Sequence, residues 1–186
     1  MKHLPGGEKI AEYFGAENAQ SLVTRPLRGA ELAISHLRCH YEDGERPVVL
    51  PADDAYLVVL YLIDVEHRDI WPDRPPAPIR LYPKDSICLV SLEQGAAIAI
   101  RGRFEAIIFH VPRQHLAELA DKAGEPRVDG LMICRGIEDR TVRDIGAALM
   151  PLFDVADDVE DRLLMHIGLA FNAHIAHRYG RPRNPH

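Results

Sequence analysis

Between residues 31 and 111 the chain repeats short runs rich in Val, Ile, Leu and Tyr, with turn signals between them. The runs are 32–41, 48–50, 56–65, 79–82, 86–92, 96–101 and 104–111. They are separated by Glu42-Asp43-Gly44, Pro51-Ala52-Asp53-Asp54, Pro72-Asp73-Arg74-Pro75-Pro76, Pro83-Lys84-Asp85, Gln94-Gly95 and Gly102. Runs of this length and composition, punctuated this way, predict the strands of a sandwich or barrel. No long helical pattern falls between them, so the sheet is expected to be antiparallel rather than built on crossover helices. The stretch 71–78 holds four prolines and cannot be a central strand, because proline donates no ladder hydrogen bond.

Past Pro112 the period changes. Leu116, Leu119, Ala120 and Ala123 stand at helical spacing and predict a helix over 113–123, with Gly124 as its stop. Val142, Ile145, Leu149 and Leu152 predict a second helix over 141–152, with Pro151 near its end. A longer one is predicted over 158–179. Asp157 is its N-cap, Asp158, Glu160 and Asp161 favour its start, Arg178 favours its end, and Gly180 takes the C′ position. Its apolar face runs through Val159, Leu163, Ile167, Ala170 and His174, widened by Leu164, Phe171 and Ile175. A stripe wider than ~100° can serve a core and a second surface together. The short link 153–156 predicts that the last two helices form an antiparallel hairpin. Residues 1–30 are polar, carry Gly6-Gly7 and Pro26 with one amphipathic piece around 10–14, and read as an arm. The expected division is therefore arm 1–30, β region 31–112, helical region 113–180 and linker 181–186.

Composition narrows the class. A chain of 186 residues and 20.9 kDa is one domain's length and can bury about 70% of its surface. With 47% apolar and 27% charged residues it is neither disordered nor a disulfide scaffold. No apolar run approaches the ~18 residues of a membrane span, and the N-terminus lacks the apolar core of a secretory signal. A cytoplasmic protein without a membrane partner is expected. The net charge of −6 argues against nucleic-acid binding by these residues alone. Cys39, Cys88 and Cys134 are scattered, odd in number and form no C-x-x-C, as expected of small buried residues in a reducing compartment.

The chain has no Gly-rich phosphate loop, no G-x-S-x-G and no H-E-x-x-H. His36, Arg38 and His40 alternate on one predicted strand and share a face. A metal-binding cupin places H-x-H on one strand, then Glu, then a further His; here the order is H-x-R-x-H, with His110 on a later strand. No metal and no other cofactor is expected. The acidic cluster 157–161 reads as a helix start, and Met132, Met150 and Met165 as core filler. Arg38 between two histidines, with Tyr56 and Tyr61 on another strand, is a candidate site for a small anionic ligand. Alternation leaves the direction of that face open, because the opposite face, Leu37, Cys39 and Tyr41, is the more apolar one.

In order, the segments resemble the N-terminal sensor and dimerisation half of AraC-family transcriptional regulators, over about residues 20–180. The resemblance is carried by Asp53-Asp54-Ala55-Tyr56-Leu57-Val58 and by Arg80-Leu81-Tyr82-Pro83-Lys84-Asp85-Ser86. Phe104-Glu105-Ala106-Ile107-Ile108-Phe109-His110-Val111-Pro112-Arg113 resembles the family's last barrel strand running into a helix. Gly146-Ala147-Ala148-Leu149, Leu169-Ala170 and His174-Ile175-Ala176-His177-Arg178-Tyr179-Gly180 resemble the closing helical hairpin. Lys84-Asp85 stands where the family commonly has Gly-Asp.

The resemblance implies a mainly β fold with α: a cupin-like antiparallel β-barrel of jelly-roll type, then a C-terminal helical hairpin. It implies a non-enzymatic domain that binds a small effector through the barrel and pairs with a second copy through the hairpin. Leu163, Leu164, Ile167, Phe171 and Ile175 are the expected dimer contacts. DNA would be met only through a paired helix-turn-helix half placed just after Pro185, and nothing in these residues resembles one. The alternative from another class is a small cupin-type enzyme, possibly metal-dependent.

Overall fold

Several of the apolar runs merge into longer strands than their punctuation predicts. In a computed structural model, which describes residues 6–16, 18–124, 127–155 and 159–182, runs 32–41 and 48–50 are one strand, β2 (Leu32–Leu50). Runs 96–101 and 104–111 likewise form β7 (Ala96–Pro112). The two pair antiparallel from Ala33↔His110 to Leu50↔Ala96, and the register shifts between Tyr41 and Glu45. Gly44 (φ 86°) and Gly102 (φ 68°) lie at that irregularity, where a bulge bends both strands without ending them. A glycine that reads as a turn thus serves as a kink.

The remaining strands are β1 (Asn18–Thr24), β3 (Ala55–Tyr61), β4 (Val65–Asp69), β5 (Arg80–Tyr82), β6 (Ser86–Ser91), β8 (Val128–Leu131), β9 (Cys134–Glu138) and β10 (Gly180–Pro182). The main sheet is antiparallel and runs β1-β2-β7-β3-β6-β9, with β4 paired to β7 and β5 to β4; β8 and β10 form a separate pair. The sheet does not close, so the expected barrel is an open trough with β1, β9 and, on the β4–β5 branch, β5 at its edges. The proline-rich stretch joins β4 to β5 and contributes one isolated bridge, Trp71↔Arg74.

Four helices complete the chain: α1 (Gly6–Phe14), α2 (Arg113–Ala123), α3 (Arg140–Leu149) and α4 (Val159–Tyr179). Asp139 caps α3 by accepting from Val142 N–H, and a 3₁₀ turn, Met150–Asp154, follows that helix. Gly124 ends α2 in the left-handed region (φ 66°), as its position predicts. Gly180 does its work differently: its φ is not positive, and a Cβ there would lie 2.2 Å from the Ala176 carbonyl oxygen. The N-cap expected of Asp157, most of the acidic cluster and the linker from 183 onward fall outside the described residues.

The sheet separates two cores. Leu37, Val48, Leu57, Val59, Tyr61, Tyr82, Ile100 and Phe104 fill its inner face. Leu32, Ile34, Val58, Leu60, Ile107 and Phe109 fill its outer face beneath α2, α3 and α4. The segment expected to be an arm packs on this architecture. Ile10, Ala11 and Phe14 of α1 are buried in the inner core, with the Phe14 ring stacked on Phe104 at 5.1 Å, and β1 pairs with β2 from Asn18↔Arg38 to Thr24↔Leu32. Nine residues with three apolar anchors give a weak sequence signal; their burial comes from the trough they cover.

Of the five stripe residues expected at a partner, Leu164 (5% exposed), Phe171 (0%) and Ile175 (0%) are buried in the chain's own outer core. The Phe171 ring stacks on Phe109 at 4.0 Å. Ile167 is partly buried against the same core, and Leu163 is 51% exposed. Met132 and Met165, expected as core filler, are exposed as well. Among the described residues no helix is long and apolar enough to cross a membrane.

Candidate functional site

Alternation along β2 sets the direction of every side chain near the candidate site. Leu37, Cys39 and Tyr41 turn toward the inner core, while Leu32 and Ile34 belong to the outer one. His36, Arg38 and His40 share the outer face, so they do not line the trough as an interior pocket would require. His36 is buried: its Nε2 donates to Glu105 Oε1 (3.0 Å), Gln20 Oε1 lies 3.3 Å from its Nδ1, and its ring is 5.6 Å from Phe153. Arg38 is largely exposed and donates to the same Glu105 oxygen at 3.0 Å. Burial pushes the Glu105 carboxyl up, but the bonds from Arg38 and His36 outweigh it and hold the group below its ordinary range.

The two tyrosines part company. Tyr56 lies in the outer core, where its hydroxyl accepts from Arg113 (2.7 Å) and from Leu131 N–H (3.1 Å), tying β3 to α2 and β8. Tyr61 lies in the inner core, 2.6 Å from His67 Nε2 and 3.3 Å from Cys88 Sγ. His67 stacks on Tyr82 at 4.0 Å; burial lowers its pKa to about 4, so it is neutral at pH 7, and its Nδ1 is buried with no hydrogen-bond partner. Burial raises the Tyr61 hydroxyl and the Cys88 thiol, which leaves both protonated and poorly suited to nucleophilic chemistry. Among the described residues no group of three or more His, Cys, Asp or Glu side chains could hold a metal ion.

What the strands do build is a cleft of about 480 Å³ at the bend of β2 and β7, beside the end of α1. Its apolar lining comes from Cys39, Tyr41, Ile63 and Phe104. Its polar and charged lining comes from Arg38, His40, Arg46, Arg103 and Glu105. Cross-strand register assembles the pairs, Arg38 opposite Glu105 and His40 opposite Arg103. Gly15 and Asn18, at the link from α1 to β1, complete the wall. The Tyr41 hydroxyl donates to the Phe14 carbonyl at 2.6 Å and fastens the end of α1 to this edge.

Comparison with known proteins gives only distant likenesses. No protein-family model and no curated protein sequence matches the chain. Among solved structures, a cupin superfamily protein from Desulfitobacterium hafniense is 15% identical over 52% of this chain and 80% of its own, with a TM-score of 0.36. An RmlC-like cupin family protein with a double-stranded β-helix fold from Methanocaldococcus jannaschii is 14% identical over 52% and 84%, with a TM-score of 0.32. ToxT from Vibrio cholerae is 10% identical over 91% of this chain and 60% of its own, with a TM-score of 0.44. These are likenesses of chain path at low identity, and the functional reading below rests on the residues themselves.

Of the five candidate ligand residues, the structure brings Arg38 and His40 to the cleft, sets His36 behind them on Glu105, and leaves Tyr56 and Tyr61 in separate cores. Arg46, Arg103, Phe104 and Glu105 are the members that sequence reasoning missed. The signal for the last three was Arg101-Gly102-Arg103-Phe104-Glu105, three charges crowded around a glycine inside an apolar strand; Arg46 had none.

Proposed function

We propose that this chain is the effector-sensing and dimerisation domain of an AraC-type transcriptional regulator. The observation that carries the proposal is the ligand-sized cleft where the bent β2–β7 pair meets the end of α1. The residues that resemble the family also occupy fitting places: Asp53-Asp54 leads into β3, Lys84-Asp85 turns from β5 into β6, and β7 runs through Pro112 into α2. The departure at Lys84-Asp85 is accommodated locally, since Asp85 takes a left-handed φ of 67°, a region that Asp tolerates better than most residues. On this reading α3 and α4 form the antiparallel hairpin, and a second copy docks on the side of α4 that carries the exposed Leu163, Met165 and Leu169. DNA contact belongs to a helix-turn-helix half outside these residues. The sensor acts by binding its effector differently in two arrangements.

Thermal-shift screening of the purified chain against small metabolites tests the sensing half of the proposal. A true effector at ~100 times its Kd adds ~2.7 kcal/mol of stability. Light scattering tests the pairing: a dimer is expected at tens of micromolar, and a monomer there defeats that part. A ligand-dependent change in promoter occupancy, read after fusing residues 1–186 to a DNA-binding unit that requires dimerisation, tests both together. Stoichiometric bound metal together with turnover of a cleft ligand would replace the regulator with the small cupin-type enzyme.

A further inference from the structure

The proline-rich link between β4 and β5 serves neither core and no part of the cleft: no residue from 70 to 80 belongs to any of them. Pro72, Pro75, Pro76 and Pro78 are all exposed. Every residue from 74 to 78 is a proline or precedes one. A proline ring fixes φ near about −65°, and the residue before it is pushed out of the helical region into extended backbone. That combination favours a polyproline helix of about three residues per turn, which sets Pro75 and Pro78 on one ridge. Residues 75–79 belong to no helix or strand. The link is nevertheless held at both ends. Ile70 N–H donates to the Ala97 carbonyl (2.9 Å), Ala77 N–H donates to the Asp69 carbonyl (3.0 Å), and Arg80 enters β5 opposite His67. The Arg74 guanidinium lies 4.0 Å over the Trp71 ring. Arg80 is exposed, with its guanidinium 5.4 Å from the Tyr82 ring, and among the described residues it has no ion-pair partner.

We infer that Pro75-Pro76-Ala77-Pro78-Ile79-Arg80 is a docking segment for a partner protein domain whose groove is lined by aromatic side chains and flanked by a carboxylate. Segments of P-x-x-P spacing seat in aromatic grooves because their helix is already formed, so little conformational freedom is lost on binding. Anchoring at both ends extends that advantage, since the flanking chain is ordered as well. Arg80, two residues past Pro78, supplies the cation that selects an acidic groove and fixes the direction of docking. The inference goes beyond the sensor reading, which neither requires this segment nor explains it.

The experiment titrates the intact, isotope-labelled chain with an isolated SH3 domain that selects P-x-x-P-x-R ligands, and reads amide shifts by NMR. Trp71 is the chain's single tryptophan, so its indole N–H is an unambiguous reporter inside the link. Shifts should fall on residues 70–81 and leave the cleft residues unmoved. The double variant Pro75→Ala, Pro78→Ala should lose at least about tenfold in affinity, as for truncated anchor residues of an interface. Arg80→Gln keeps every proline and should lose about threefold, the scale of an exposed ion pair. Raising salt should weaken the parent chain and leave Arg80→Gln nearly unchanged. A free peptide of residues 70–81 should bind more weakly than the intact chain, because its ends are not anchored.

No shift with the probe at about 1 mM, where even weak association is read, overturns the inference. So does unchanged affinity in the double proline variant, or a set of shifts centred on another surface. A free peptide that binds while the intact chain does not also overturns it, because the ridge is then not presented. A lower melting temperature in the proline variants without any binding by the parent chain would leave the link as a rigid connection and nothing more.

Discussion

Asp139 is a buried carboxylate on which two helices, α3 and α4, converge. At 1% exposure it accepts from Val142 N–H at the start of α3, from the Tyr179 hydroxyl (2.6 Å) and from His174 Nε2 (2.9 Å), and Arg178 lies 3.4 Å away. Burial pushes its pKa up, but the bonds from Tyr179, His174 and Val142 outweigh burial and hold it below the ordinary aspartate range. A folded-state pKa below the unfolded value of ~3.9 adds stability above that pH, which is lost as pH falls through the folded value. Asp139→Asn is therefore expected to cost about 2–3 kcal/mol at pH 7, within the range for removing one partner of a buried charged cluster. The gap between the two proteins should narrow in urea titrations below about pH 4; a gap independent of pH would contradict this account. Glu105 is shifted in the same direction and adds to the acid sensitivity of the parent chain.

At the scale of elements, the two ends of the chain hold to the sheet by different means. α4 is fastened by Phe171 on Phe109 and by Leu164 and Ile175 in the outer core. Phe171→Ala should destabilise the whole domain by about 3–5 kcal/mol, the range for emptying a buried aromatic site. Leu163→Glu, on the exposed side, should leave the melting temperature within a degree or two and weaken pairing in light scattering if α4 is the dimer face. A folded, fully dimeric Leu163→Glu, Leu169→Glu variant would move the interface elsewhere. α1 hangs on far less: Ile10, Ala11, Phe14 and the bond from Tyr41 to the Phe14 carbonyl. Phe14→Ala should cost roughly 3 kcal/mol of local stability, or about 100-fold in amide-exchange protection over 6–14. The strands β2 and β7 should keep their protection. Loss of protection throughout would mean that α1 is integral to global folding.

For the molecule as a whole, charge and the two-core arrangement set the expectations. With a net charge of −6, these residues should not bind duplex DNA in a sequence-dependent way at physiological salt. A submicromolar, sequence-dependent gel shift by this chain alone would overturn that. The three arginines around the cleft are a local exception to that net charge. The cleft joins β2, β7 and the link from α1 to β1 in one place. It lies beside the register shift between Tyr41 and Glu45.

The alternation of β-branched runs and turn residues, followed by a 3.6-residue period, was enough by itself to determine a mainly antiparallel β fold ending in helices. Those patterns are local, because they follow from side-chain direction and turn chemistry within a few residues. The bounds of α2 and the end of α4 were legible for the same reason. Tertiary structure alone decided that Gly44 and Gly102 bend strands rather than end them, since a left-handed glycine serves either a turn or a bulge. It also decided that α1 covers the trough, and that Phe171 and Ile175 serve the chain's own core rather than a partner. Apolar spacing shows that a face must be buried and does not say against what. The cleft was hidden for a related reason. Arg38 and Glu105 are 67 positions apart, and only the β2–β7 register, set by which partner covers which face, places them opposite each other.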